Sequence, residues 1–285
     1  MKPTTFVAVS VAALTAFASG AHAAHAERVA DPSRQTAPQQ SSVRQGAVAE
    51  FPQLLRLTLD DGAESSGVVL TRLVNTGVAP VQTVVVADAG GEALRVPRGD
   101  GRWAARLPRY SRQADPPRAV IRVLGAVADP FDPGTRAFRF GAAWNLDEVS
   151  QGTDADNGDN LMQRGLSGDA GQFKLELDNR VPACTVQGDD GAVTVTAGRV
   201  EAGQWYGARC YRDGMELTLH VWKWTPEGLV TVDSTTKRGP IGSVSFPSHI
   251  PVSIGGKLDQ SGDPVSASGD QFNGMVDNIV FDTVG

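Results

Sequence analysis

The chain has 285 residues, 26 basic and 32 acidic side chains, a formal charge of −6 and a hydrophobic share of 41%. The acidic balance argues against a nucleic-acid-binding protein, which would carry a basic patch, and against electrostatic docking to anionic lipid. The hydrophobic share is enough for a core, and 32 glycines suit a turn-rich β protein.

The first residues are Met1-Lys2-Pro3-Thr4-Thr5, and residues 6–17 are almost wholly apolar or small. That run is too short for a bilayer span, which needs about 20 apolar residues, and has the form of a signal-peptide core. Small-x-small sites follow at Ala21-His22-Ala23 and Ala24-His25-Ala26. Cleavage is expected after Ala26, with Ala23 as the alternative, and no later stretch is long and apolar enough to span a membrane. The protein is therefore expected to be secreted. Residues 27–48, rich in Pro, Gln, Ser and Arg with no apolar face, read as a flexible linker. The folded domain is expected over residues 49–285.

From there the hydrophobic period is two, the mark of half-buried strands. Leu55, Leu57 and Leu59 alternate with Arg56 and Thr58, and Asp60-Asp61-Gly62 turns the chain. Residues 81–86, 92–96, 118–124 and 137–144 are further candidate strands. Phe173, Leu175 and Leu177 face one way, and Gln172, Lys174, Glu176 and Asp178 the other. Gly188-Asp189-Asp190-Gly191 reads as a hairpin loop leading into Val193 and Val195. Residues 205–211 run into the Asp213-Gly214 turn, after which Met215, Leu217, Leu219 and Val221 alternate with Glu216, Thr218, His220 and Trp222. Residues 250–254 and 275–281 complete the set. No window has a sustained helical period. Short strands separated by turns over this length predict one all-β sandwich of two antiparallel sheets. The two cysteines, Cys184 and Cys210, would meet an oxidising compartment and are expected to pair, tying two consecutive hairpins together.

Several segments, in order, resemble laminin-G-like domains of the concanavalin A-like lectin and glucanase superfamily. Leu161-Met-Gln-Arg-Gly165 and Gly171-Gln-Phe-Lys-Leu-Glu-Leu177 resemble the central strands. Gly203-Gln-Trp205-Tyr206 with Arg209-Cys210-Tyr211-Arg212-Asp213-Gly214 resembles the G-x-W-H strand and its hairpin. Ser253-Ile254-Gly255-Gly256 and Phe272-Asn-Gly274-Met-Val276-Asp277-Asn-Ile279 resemble the closing strands. The likeness covers residues 136–285 best and departs at Tyr206, where the family has His. It implies a jelly roll, a core position for Trp205, glycan or protein binding in many members, and often a structural calcium. Fold alone does not confer a ligand.

Retaining glycosidases need two carboxyl groups about 5–5.5 Å apart, which sandwich glucanases place on one strand face. Glu176 and Asp178 begin such a pattern, but no second Glu follows them, so catalysis is not expected. No Gly-x-Ser-x-Gly elbow and no zinc-ligand spacing occur. Calcium, which takes oxygen ligands, has three candidate clusters: residues 154–160, Asp259 with Asp263, and Asp60 or Asp61 with Asp277. The pair Asp60 and Asp277 is the preferred site. His220, Trp222 and Trp224 alternate on one strand face and form the candidate ligand shelf, since flat aromatic faces stack on sugar rings. The same tryptophans could instead cover the sandwich edge or pack under the N-terminal half of the domain. The reading is a secreted, monomeric, non-catalytic module for a carbohydrate or a cell-surface protein, against a glucanase-type hydrolase or a ligand-free spacer.

Overall fold

The computed structural model describes residues 53–60, 65–126, 129–150, 158–266 and 270–284. The expected leader and linker lie outside these residues, as do Asp61, Gly62 and residues 154–157 of the acidic loop. The described chain forms β1 (Leu55–Leu57), β2 (Val68–Val69), β3 (Val81–Asp88), β4 (Leu94–Pro97), β5 (Trp103–Arg106), β6 (Arg118–Gly125), β7 (Phe138–Leu146) and β8 (Gly158–Arg164). It continues with β9 (Gln172–Asp178), β10 (Val181–Gly188), β11 (Gly191–Thr196), β12 (Trp205–Asp213), β13 (Glu216–Thr225), β14 (Gly228–Arg238), β15 (Val252–Ile254) and β16 (Gly274–Thr283).

Alternation sorts these strands into two antiparallel sheets. In β13, Leu217, Leu219 and Val221 are fully buried while Glu216 and His220 are exposed. In β9, Phe173, Leu175 and Leu177 are fully buried and Asp178 is exposed. Each strand thus has one face for the core and one for the outside. The first sheet runs β14-β13-β12-β7-β16-β5-β4-β2, with β1 also paired to β16, and the second runs β11-β10-β9-β8-β15-β6-β3. The chain passes between sheets repeatedly, from β7 to β8, from β11 to β12, and from β14 through β15 to β16. This is the expected antiparallel sandwich.

The core between the sheets is aromatic at its centre. Phe173 of the second sheet meets Phe140, Phe138 and Phe281 of the first at centroid distances of 4.8, 6.0 and 5.3 Å, and Phe246 edge-on at 5.7 Å. Each of these rings is worth about 1.5–3 kcal/mol by burial.

Local turns agree with the residues that make them. Asn179 and Arg180 join β9 to β10 with φ of 51° and 67°, as a two-residue hairpin turn of the right twist demands. Asp189-Asp190 joins β10 to β11 as expected, and Gly214-Met215 joins β12 to β13 with Gly214 at φ 55°. Strand β14 was not anticipated. It pairs along β13, but Leu229, Val230 and Val232 are exposed, so no buried face marks it in the sequence.

The expected Cys184–Cys210 bridge is present. Cys184 lies on β10 of the second sheet and Cys210 on β12 of the first, and both are fully buried. The bond therefore joins the hairpins by crossing the core. Its Cα atoms are 6.0 Å apart, well inside the ~10 Å spacing of stacked sheets, so it sits where the sheets converge. Replacing both cysteines by serine is expected to lower unfolding free energy by about 3.5 kcal/mol, the loop-closure value for a span of 26 residues. Urea denaturation of the pair of proteins measures it. An unchanged midpoint would contradict the role.

Candidate functional site

Strand parity decides what the first sheet shows outward. Cys210, Ala208 and Tyr206 of β12 point into the core, and Tyr206 stacks with fully buried Trp144 at 6.1 Å and 22°. Trp205, Gly207 and Arg209 must then face outward. This corrects the core position expected for Trp205: the residue filling the core is its neighbour Tyr206. Cys210 carried the signal, because a cysteine that bridges two sheets fixes the parity of its strand.

The outward face is built across four strands in register. Trp222 of β13 lies opposite Gly207 of β12, which lies opposite Ala143 of β7, which lies opposite Asp277 of β16. The Trp222 indole rests on Gly207, where a Cβ would come within 2.6 Å of the ring. Trp205 and Trp224 stand one residue beyond the paired Tyr206 and Lys223. Trp222 and Trp224 meet at 6.0 Å with ring planes 60° apart. Trp222 and Trp224 thus share one face, both half-buried, and Trp224 packs under Arg98 of the N-terminal half. His220 shares the face but turns to the edge, where its ring nitrogen hydrogen-bonds Ser234 at 2.9 Å.

Arg98, from the turn after β4, locks this layer. Its guanidinium lies 4.1 Å from the Trp205 ring centroid and 4.5 Å from that of Trp224. It donates from Nη1 to Asp277 Oδ2 at 2.7 Å, and Nε lies 3.2 Å from Asp100. The Arg98 and Asp277 side chains are 0% and 1% exposed. Among the described residues, Arg98 Nη2, Asp277 Oδ1 and Trp222 Nε1 are buried without a hydrogen-bond partner. Burial raises the Asp277 pKa above its ordinary 3.8, outweighing the Arg98 hydrogen bond that opposes it. Beside it, Arg209 lies 5.1 Å from the Trp222 ring and donates to the carbonyls of Ala208 and Asn278. Burial, with help from Arg139, pushes its pKa down to about 10, so it stays charged at neutral pH.

The expected calcium pair Asp60 and Asp277 lies close together, with each carboxyl already engaged in part. Asp277 is neutralised by a guanidinium, and Asp60 accepts the Trp103 backbone N–H at 2.9 Å. No group of three His, Cys, Asp or Glu side chains converges on a metal position among the described residues. Asp259 is likewise engaged, accepting the N–H groups of Ser261 and Asp263 at 2.8 and 3.0 Å.

The outer face of the second sheet holds a different cluster. Lys174 pairs with Glu176 on its own strand and lies 3.6 Å from Asp270, which also pairs with Lys257 at 2.5 Å. Glu176 and Asp270 therefore flank one ammonium. The expectation that Glu176 has no second acid holds along its strand but not in space. Asp270 comes from a distant loop, invisible to any strand pattern. The Lys174 ammonium is an ion-pair partner of both acids.

No family model matches the chain, and no curated protein sequence matches it. Solved structures do match. The binding domain of Paraclostridial Mosquitocidal Protein 1 superposes with a TM-score of 0.50 at 10% identity, over 81% of this chain and 48% of that one. The likeness is one of fold. The botulinum neurotoxin serotype G binding domain matches with a TM-score of 0.45 at 8% identity, over 80% and 47% of the two chains. A protein of unknown function from Shewanella oneidensis MR-1 matches at 0.44 and 11% identity, over 70% and 78%. The chain spans about half the length of the toxin binding domains it matches.

The Arg98–Asp277 pair has a measurable signature. A carboxyl whose pKa is raised on folding favours the folded state most below 3.8, and that contribution is lost as pH rises through the elevated value. Asp277→Asn should therefore gain stability relative to the parent as pH goes from 4 to 7. Arg98→Met leaves the buried carboxylate unpaired and should cost about 3–5 kcal/mol at pH 7, and less at pH 4. Denaturant titrations at both pH values measure this. A stability difference from the parent that does not change with pH would overturn the assignment.

Proposed function

We propose that this chain is an exported, laminin-G-like sandwich that binds a carbohydrate, as a surface glycan or on a cell-surface protein, without catalysing a reaction on it. The observation that carries the reading is the outward face of the first sheet. Trp222 and Trp224 are held in fixed orientation on a hard floor, Trp222 by Gly207 and Trp224 by Arg98, rather than dissolved into the core. Small-ligand sites combine such fixed aromatic surface with a few placed polar groups. The domain is read as residues 49–285, preceded by a linker at 27–48 and a leader at 1–26. The fold shared with the Paraclostridial binding domain is compatible with this reading, which rests on the residues themselves.

Titration of the protein with oligosaccharides of several compositions tests the proposal. At least one should bind, and Trp222→Ala and Trp224→Ala should each weaken it about tenfold, the equivalent of 1.4 kcal/mol. Affinity unchanged in both variants would overturn the shelf. The competing hydrolase reading is favoured by one observation, the approach of Asp270 to Glu176 across Lys174. Hydrolysis of a β-glucan panel that vanishes in Glu176→Gln and Asp270→Asn would establish it and displace the non-catalytic reading.

Export makes a separate demand. The released protein should begin at Glu27 by intact mass. Full-length protein retained inside the cell would contradict it.

A further inference from the structure

We infer that a second, polar subsite adjoins the tryptophan shelf, and that it takes one uncharged, hydroxyl-rich sugar unit of a longer saccharide. This inference deepens the carbohydrate reading above and rests on it. The subsite is a cleft of about 480 Å³ where β7 ends, lined by Arg109, Tyr110, Asn145, Asp147, Glu148 and Gly203. That volume lies within the ~300–1,000 Å³ of small-ligand sites.

The walls are fixed by backbone. Leu107 N donates to Gly274 O at 2.9 Å, and the buried Asn273 side chain donates to Pro108 O at 2.9 Å, so the segment carrying Arg109 and Tyr110 is tied to the start of β16. Asp147 N donates to Asn273 O at 3.0 Å, and Gly203 N to Leu146 O at 2.8 Å. Arg180 donates to the Glu148 carbonyl at 2.7 Å. A cleft held this way is largely formed before a ligand arrives.

Its chemistry narrows the ligand. Both Nη atoms of Arg106 engage the Asp147 carboxylate, so that charge is already answered. Arg109 and Glu148 stand exposed at the mouth, with no side-chain partner among the described residues, and their charges cancel. A phosphate or sulfate would want more than one free cation. A metal would want several oxygen ligands that are not already paired. What remains is neutral hydrogen-bonding capacity beside the exposed apolar side chain of Val149. The Asn145 amide and the Tyr110 phenol are both half-buried and make no side-chain hydrogen bond among the described residues. An amide offers a donor and an acceptor from one rigid plane, and a phenol can do either. Neighbouring hydroxyls on a pyranose ring present the complementary pair.

The register supplies the link to the shelf. Asn145 is the cross-strand partner of Trp205, and Trp205 neighbours Trp224 across β12 and β13. Strands lie about 4.8 Å apart. A chain whose terminal unit sits in the cleft would therefore cross β12 and reach the tryptophans within about two further strand spacings.

The test uses methyl glycosides of hexoses, 6-deoxyhexoses and N-acetylhexosamines, with their di- and trisaccharides, followed by saturation-transfer NMR and calorimetry on the full domain. At least one glycoside should bind the parent. Asn145→Ala and Tyr110→Phe should each weaken it about tenfold, with thermal midpoints unchanged. The trisaccharide should bind more tightly than the single unit, and Trp224→Ala should remove that gain. If a saccharide binds and responds to Trp222→Ala but not to Asn145→Ala or Tyr110→Phe, the subsite is wrong and the shelf stands. If no saccharide binds at all, both are wrong. Should Asn145→Ala fail to fold, Tyr110→Phe decides the question, since it removes one hydroxyl and no packing.

Discussion

Everything outward in this molecule is set by what must reach one aromatic core. Phe173 lies where Phe138, Phe140, Phe246 and Phe281 converge, so the strands carrying them have no freedom of parity. A slip of one residue would exchange every inward side chain for an outward one. Once Cys210 and Tyr206 face inward, Trp205, Gly207 and Arg209 have only the outside left. The same holds for Trp222 and Trp224 once Leu219 and Val221 are buried. The outward face is the complement of the core.

That complement is unusual in how it handles charge. Burying an ion pair seldom adds stability over an apolar replacement, because desolvation offsets the attraction. Arg98 and Asp277 are buried anyway, and the elevated Asp277 pKa records the cost. Two indole rings recover part of it, since a guanidinium between aromatic faces keeps favourable electrostatics without water. The arrangement gives orientation rather than stability. Trp205 and Trp224 cannot turn while Arg98 is tethered to Asp277 on the closing strand.

Most of the fold was legible because it follows local rules. The alternation around Phe173, Leu217 and Val193 and the Gly188 to Gly191 loop read directly as strands and hairpins, whereas the turn expected at Asp213-Gly214 falls one residue later, at Gly214-Met215, and leaves Met215 exposed rather than in the core. Strands with no buried face, such as β14, left no such trace. The face carrying His220, Trp222 and Trp224 was legible too, because parity is a property of one strand. What the residues around the site do was less so. Arg98 reaches Asp277 across 179 positions, and Asp270 meets Lys174 from a distant loop. Neither contact has a period or a motif. A carboxylate in sequence does not show which cation answers it, and nothing in the sequence marks Arg98 as the partner of Asp277.

Gly207 and Trp222 compete for one volume. The indole occupies the volume that any larger residue at 207 would require. In descendants of this sequence the two positions are bound to change together: a side chain can appear at 207 only after the ring at 222 has shrunk or moved. Covariation between these columns, across the β12–β13 boundary, would trace where in its lineage the aromatic face was gained or abandoned.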